Sequence, residues 1–178
     1  MLGACSAPAP SNKQEPSSSP APTSSQPSSV PAPPGYLSTA DGGELVASLP
    51  VGPRATSAGK RVVYSQRVDV RDGEILLSLS EFQVTNDLGT NVYVGSMLLL
   101  GTSATSTAGH EISAANGENV TPGMHHGQQT KNGTYRVGAS DVGVRYVNLV
   151  AWAAASQSSP GDQVSVDRGY GRLSVLTW

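Results

Sequence analysis

The sequence predicts an all-β domain, a β-sandwich or jelly roll of about eight to nine antiparallel strands preceded by a disordered tail. Three observations predict it. From Lys60 to Trp178 short apolar runs alternate with turn signals every 8 to 12 residues or so, about the spacing of sandwich strands. Several of these runs keep the alternating period of a strand, and none keeps a helical period over any length. Two of them, Asn91 to Leu100 and Val142 to Ala154, are apolar at odd and even positions alike, as in a strand covered on both faces.

Composition separates the domain from what precedes it. Of 178 residues, 37% are hydrophobic and 13% charged, the second being about half the usual share. Part of the chain is therefore polar but uncharged. Nine of the thirteen prolines lie between Pro8 and Pro34, interleaved with Ser, Ala and Thr. Such a segment has too little apolar surface to offset the entropy of ordering, so residues 6–40 are expected to be a disordered tether and 41–178 the all-β sandwich. In extended polyproline form, at about 3.1 Å per residue, the tether spans at most roughly 90 Å.

The formal charge of −2 comes with no cluster of either sign: Lys60 to Trp178 holds nine Lys and Arg against ten Asp and Glu. Nothing here attracts a phosphate backbone, which argues against a nucleic-acid partner. No run reaches the length of about 18 apolar residues that a membrane-spanning helix needs. The single cysteine, Cys5, excludes an internal disulfide.

Leu2-Gly3-Ala4-Cys5, followed by Ser6-Ala7-Pro8-Ala9-Pro10, resembles the lipobox and tether of bacterial lipoproteins. In that pattern a Leu and two small residues fit the signal peptidase, and the Cys thiol takes up the lipid. The resemblance covers residues 1–5 and the tether composition. It implies lipid attachment at Cys5, a membrane partner through that anchor, and a location on the outer face of the membrane or the cell surface; an unlipidated chain would be secreted. Only Met1 to Ala4 precede Cys5, fewer than the apolar core of a signal peptide. A start upstream of Met1, a shortened chain and a chance match all fit that shortfall.

The elements follow in order. Leu45 to Val51 reads as a short edge strand, since Pro50 removes a ladder donor. Arg61 to Val70 alternates, with Val62, Tyr64, Val68 and Val70 on the core face. Asp72-Gly73 supplies a tight hairpin turn. In the return strand Ile75, Leu77 and Leu79 share the core face, and a bulge near Ser80-Glu81 restores the phase for Phe82 and Val84. Gly101 to Gly133 is the least regular stretch, with a short strand around Glu111-Ile112-Ser113. Thr134 to Val137, Val142 to Ala154, Gln163 to Asp167 and Arg172 to Trp178 complete the set. Compact trimeric heads of the C1q and TNF kind are similar in strand count and in ending on a buried strand.

Chemistry-bearing residues gather in the irregular stretch. All three histidines, His110, His125 and His126, lie there, and imidazole is the commonest metal ligand and the side chain most easily titrated near neutrality. No pair has the spacing of a metal motif, so the metal is left undefined. Polar loop residues bonded to backbone or water are the plainer reading. Tyr135 and Tyr170 are the aromatics expected to be exposed and able to stack on a ligand, whereas Trp152 falls in a strand buried on both faces. No nucleophile elbow, phosphate loop or complete His-Glu-x-x-His occurs, because Ala114 stands where the second His belongs. No catalytic residue and no cofactor is assigned. The expected function is a non-catalytic surface head that binds a polysaccharide or protein of the cell envelope, or acts structurally. Alternatives are a trimeric or fibre-like head and a secreted glycan hydrolase using carboxylates among Asp69, Glu81, Asp87, Asp141 and Asp167.

Overall fold

The computed structural model describes residues 37–39, 45–53 and 59–178, all within the unit Pro31–Trp178. The lipobox-like motif, Cys5 and most of the expected tether lie outside the described residues. Ten strands are present among them: β1 (Leu37–Thr39), β2 (Ser48–Gly52), β3 (Arg61–Val70), β4 (Ile75–Asn86), β5 (Val92–Gly101), β6 (His110–Val120), β7 (Met124–Arg136), β8 (Gly143–Ala154), β9 (Gln163–Val166) and β10 (Arg172–Thr177). They form an all-β sandwich. One layer has the order β1-β10-β4-β7 and the other β6-β5-β8-β3. β2 and β9 join the layers, β9 pairing with β4 and β2, and β2 running parallel to β8 at Val51 and Gly52.

A single core fills the space between the layers. Leu76, Phe82, Val84, Leu173 and Val175 contribute from the first layer, and Val92, Val94, Leu98, Leu100, Val147, Leu149 and Ala151 from the second. The two runs that read as apolar on both faces, β5 and β8, are neighbours in the second layer. Their outward residues Met97, Leu99, Val150 and Trp152 join Val62 in a smaller buried cluster on the far side of that layer.

The phase of β4 is opposite to the sequence expectation. Leu76, Ser78, Ser80, Phe82 and Val84 point inward, no bulge interrupts the ladder before Val84, and Leu79 is 47% exposed. Phe82 and Val84, fully buried at one end of an uninterrupted strand, fix every other side chain by the two-residue pleat. The serines are carried inward as a result: Ser80 Oγ donates to the Lys131 carbonyl at 3.4 Å, and Ser78 Oγ is buried without a partner.

Other expectations are corrected by connectivity. The Asp72-Gly73 turn is tight, with Gly73 at φ +82° and a 3.2 Å bond from Glu74 N to Arg71 O. It does not close a hairpin, because β3 pairs with β8 while β4 pairs with β10 and β7. The chain changes layers there. A register shift between Val62 and Tyr64 sends Val62 to the outer cluster and brings Val63 into the core. β2 is a link between the layers, not an edge strand. The stretch Gly101 to Gly133 is largely regular: it supplies β6 and most of β7, joined by a turn with Gly123 at φ +71°. Its strands lack an apolar signature because the inward positions of β7 include Gly127, Gln129, Lys131 and Gly133.

Candidate functional site

Two of the three histidines are held by aspartates, each with a tyrosine against the ring. His110 opens β6, Tyr135 lies near the end of β7, and Asp141 closes a 3-10 turn at Ala139–Asp141. Asp141 Oδ2 is 2.5 Å from His110 Nδ1, accepts from Tyr135 Oη at 2.6 Å, and has Ser140 Oγ at 3.4 Å. Arg145 donates to the Ser140 carbonyl at 3.0 Å, which pins the turn. Burial alone would raise the Asp141 carboxyl, but the hydrogen bonds from Tyr135 and His110 and the histidine's charge outweigh it and hold its pKa below the ordinary value. Burial, with the bond to Asp141, pushes the Tyr135 hydroxyl up to about 12.

The second cluster is built on a bulge. Val84 pairs with Gly127 and Asn86 with Met124, so His125 and His126 together oppose Thr85. His126 takes φ +59° to make this turn, the one non-glycine residue with positive φ among the described residues. The bulge re-aims its ring: Nδ1 lies 3.0 Å from Asp167 Oδ2, which also accepts from Thr85 Oγ1 at 3.1 Å. The Tyr170 ring packs on the imidazole with centroids 4.8 Å apart. Tyr170 itself is 55% exposed in the Gly-flanked turn between β9 and β10.

The five residues singled out in the sequence thus fall into pairs, His110 with Tyr135 and His126 with Tyr170. His125 stands apart, with Nε2 3.9 Å from Asp87 Oδ1 and both side chains well exposed, an arrangement that contributes little. The pairs do not converge. Tyr135 is opposite Leu76 and the His126 bulge is opposite Thr85, so at about 3.3 Å per residue they lie on the order of 30 Å apart along β4. Among the described residues no group of three or more His, Cys, Asp and Glu is placed to hold a metal ion. The aspartate partners were legible only as residue types. Asp141 follows Tyr135 closely enough for a turn to join them, but Asp167 and His126 carry no local signal.

Each dyad anchors its imidazole at Nδ1 on a carboxylate, and both histidine side chains are about half exposed. Beside His126 the exposed Tyr170 ring offers a flat apolar face to a ligand, whereas Tyr135, expected to be exposed, is partly buried against the core.

Two measurements check this geometry. Asp141→Asn is expected to cost about 2 kcal/mol by weakening the bonds that the buried carboxylate makes to His110 and Tyr135. The pH dependence has a definite sign. Because the folded Asp141 pKa is depressed, its contribution is present above the unfolded value and lost as pH falls through the folded one, and the variant flattens that acid limb. Tyr135 acts in the other direction: its contribution holds below the unfolded value of about 10 and is lost as pH rises toward about 12. Denaturant melts across pH read both limbs. At the other end, His126→Gly is expected to be about 1 kcal/mol more stable than His126→Ala, since both lose the ring but only glycine relaxes at positive φ.

No protein family matches the chain, and no curated protein matches it. Solved structures of infectious bursal disease virus are similar in fold. A chain of the Gx strain covers 83% of this chain at 16% identity and TM-score 0.42. A chain of the T13 viral particle covers 80% at 18% identity and TM-score 0.48, and one from derived T=1 particles covers 80% at 18% and 0.47. This chain spans 32%, 30% and 30% of the length of those three. Such a likeness carries no activity from one chain to another.

Proposed function

We propose that the chain is a lipid-anchored, extracytoplasmic head, tethered through Cys5, whose far end binds a cell-envelope ligand without catalysis. The placement of the two ends carries the reading. β1 enters the first layer with Leu37 opposite Leu176, which is itself opposite Leu77 near the start of β4. The His126, Tyr170 and Asp167 cluster sits eight residues further along β4, beside Thr85, or about 25 Å away. A tether joined at β1 would thus meet the domain at the opposite end of β4 from this cluster. Tyr170 and the His126 ring supply a stacking face there, and Asp167 and Thr85 sit behind it. Intact mass from the native host, expressed from the full upstream reading frame, tests the anchor: cleavage before Cys5 with added acyl chains supports it, and an unmodified Met1 chain overturns it. Pull-down on cell-wall polysaccharide, weakened about tenfold by Tyr170→Ala, tests the binding end. Sugar release in that assay replaces this reading with a hydrolase.

One observation favours a second reading, a self-associating head. Ile75, Leu77, Leu79, Leu176 and Trp178 lie on the outer face of the first layer, where Leu79 and Trp178 are 47% and 48% exposed. A sheet with leucines outward and serines inward presents the apolar patch that a trimeric or fibre-like head needs. Light scattering of the purified chain decides, and a monomer removes this reading.

A further inference from the structure

Lys131 is a buried cation with most of its hydrogen-bonding capacity unused. It points inward from β7, is 6% exposed, and its Nζ donates to the Ala114 carbonyl at 3.1 Å. An ammonium has three donors, and that carbonyl occupies one. The carbonyl is available because β6 bulges here: Ser96 pairs with Asn116 and Leu98 with Ser113, leaving Ala114 and Ala115 out of the ladder. Beside them a cavity of about 250 Å³ is lined by Ser113, Ala114, Asn116, Thr130, Lys131 and Asn132. Burial pushes the Lys131 ammonium below its ordinary pKa, and the charge of Glu111 opposes that shift. A buried ammonium held by one neutral carbonyl is short of an anionic acceptor.

The lining says what kind of anion fits. Ala114 is the one apolar residue of the lining; Ser113 and Asn116 bring a hydroxyl and an amide from β6, and β7, paired only with β4 among the described residues, adds its open backbone edge at Thr130 and Asn132, groups that match sugar hydroxyls and give no apolar wall for a peptide side chain. The volume is below the roughly 300 Å³ at which pockets for drug-sized ligands begin, so it admits one small ring. We propose that this cavity binds a single sugar-acid residue, with its carboxylate on the Lys131 ammonium and its hydroxyls against Ser113, Asn116 and the open backbone edge of β7 at Thr130 and Asn132.

The test is calorimetric titration of the full chain with galacturonate, galactose and N-acetylalanine, which separate charge from ring. Galacturonate is expected to bind with Kd near 1 mM, and each of the others at least about tenfold more weakly. Lys131→Met is expected to abolish binding and to melt no lower than the parent, since an apolar chain replaces a poorly compensated charge. Glu111→Gln, which removes the carboxylate competing for the same ammonium, is expected to tighten galacturonate by a few fold, and it carries the test where Lys131→Met fails to fold. Equal binding of galactose removes the role of the ammonium. Equal binding of N-acetylalanine removes the sugar. Galacturonate binding that survives Lys131→Met, that Glu111→Gln leaves unchanged or weakens, or that is absent up to about 20 mM overturns the proposal.

Discussion

Gly95→Ala is expected to lower the melting temperature by about 10 °C. Gly95 lies directly across from Trp152 in the β5–β8 ladder. An added Cβ would meet the indole Cε2 and Cζ2 at 2.4 Å and Nε1 at 2.7 Å, well inside contact distance, so the ring has to move. It has nowhere convenient to go. Trp152 is 6% exposed among Val62, Met97, Leu99 and Val150, with the Lys60 ammonium 5.3 Å from the ring centroid. Its Nε1 is already buried without a partner. Overpacking of this kind costs about 1 to 3 kcal/mol, here at the upper end because the cluster must open with the indole. At about 3 °C per kcal/mol for a domain of this size, that gives about 10 °C. Gly95→Ala with Trp152→Val should cost less than the sum of the two single changes by more than about 1 kcal/mol, since the clash disappears when the ring does. A single Gly95→Ala variant melting within about 2 °C of the parent rules this packing out.

The same residues show how much of the fold the sequence carries. Strands whose partners are also apolar, β5 and β8, are legible because burial on both faces leaves no polar position to confuse the count. The β4 phase is not legible. Its outward residues Ile75, Leu77 and Leu79 look like a core row, and its inward Ser78 and Ser80 look like a surface; only Phe82 and Val84, further along, reveal the true phase. Local pattern reading cannot weigh two buried residues at one end against three outward ones at the other. β6 and β7 fail for a different reason. Gly133 approaches the Ile112 carbonyl so closely that a Cβ would lie 2.5 Å from it, and Gly117 would meet the Val94 carbonyl at 2.0 Å. Glycine placed for close backbone approach reads as a loop signal. The histidines and tyrosines were recognisable as types in a polar stretch. Their pairing with Asp141 and Asp167, and the inward aim of Lys131, depend on strand register and bulges that no spacing in the chain records.

Leu76→Thr and Leu79→Thr are expected to differ by about 4 kcal/mol, in the direction opposite to the one the sequence pattern implies. Both changes keep a residue that favours strands, so backbone preference cancels and side-chain environment decides. Leu76 is fully buried in the core. Threonine there leaves a void and brings in a hydroxyl, together costing about 4 kcal/mol. Leu79 is 47% exposed, with Ser174 and Asn132 opposite it on the neighbouring strands, and a change at such a site stays within about 0.5 kcal/mol. Denaturant melts of the two variants read the difference directly, and a Leu79→Thr cost near that of Leu76→Thr would mean that β4 sits one residue out of the register described. The same variant also bears on the outer apolar face. A Leu79→Thr cost that grows with protein concentration signals that copies bury this face against one another, because association stabilises only the folded chain that can associate. A cost that stays small at every concentration leaves the face open to water.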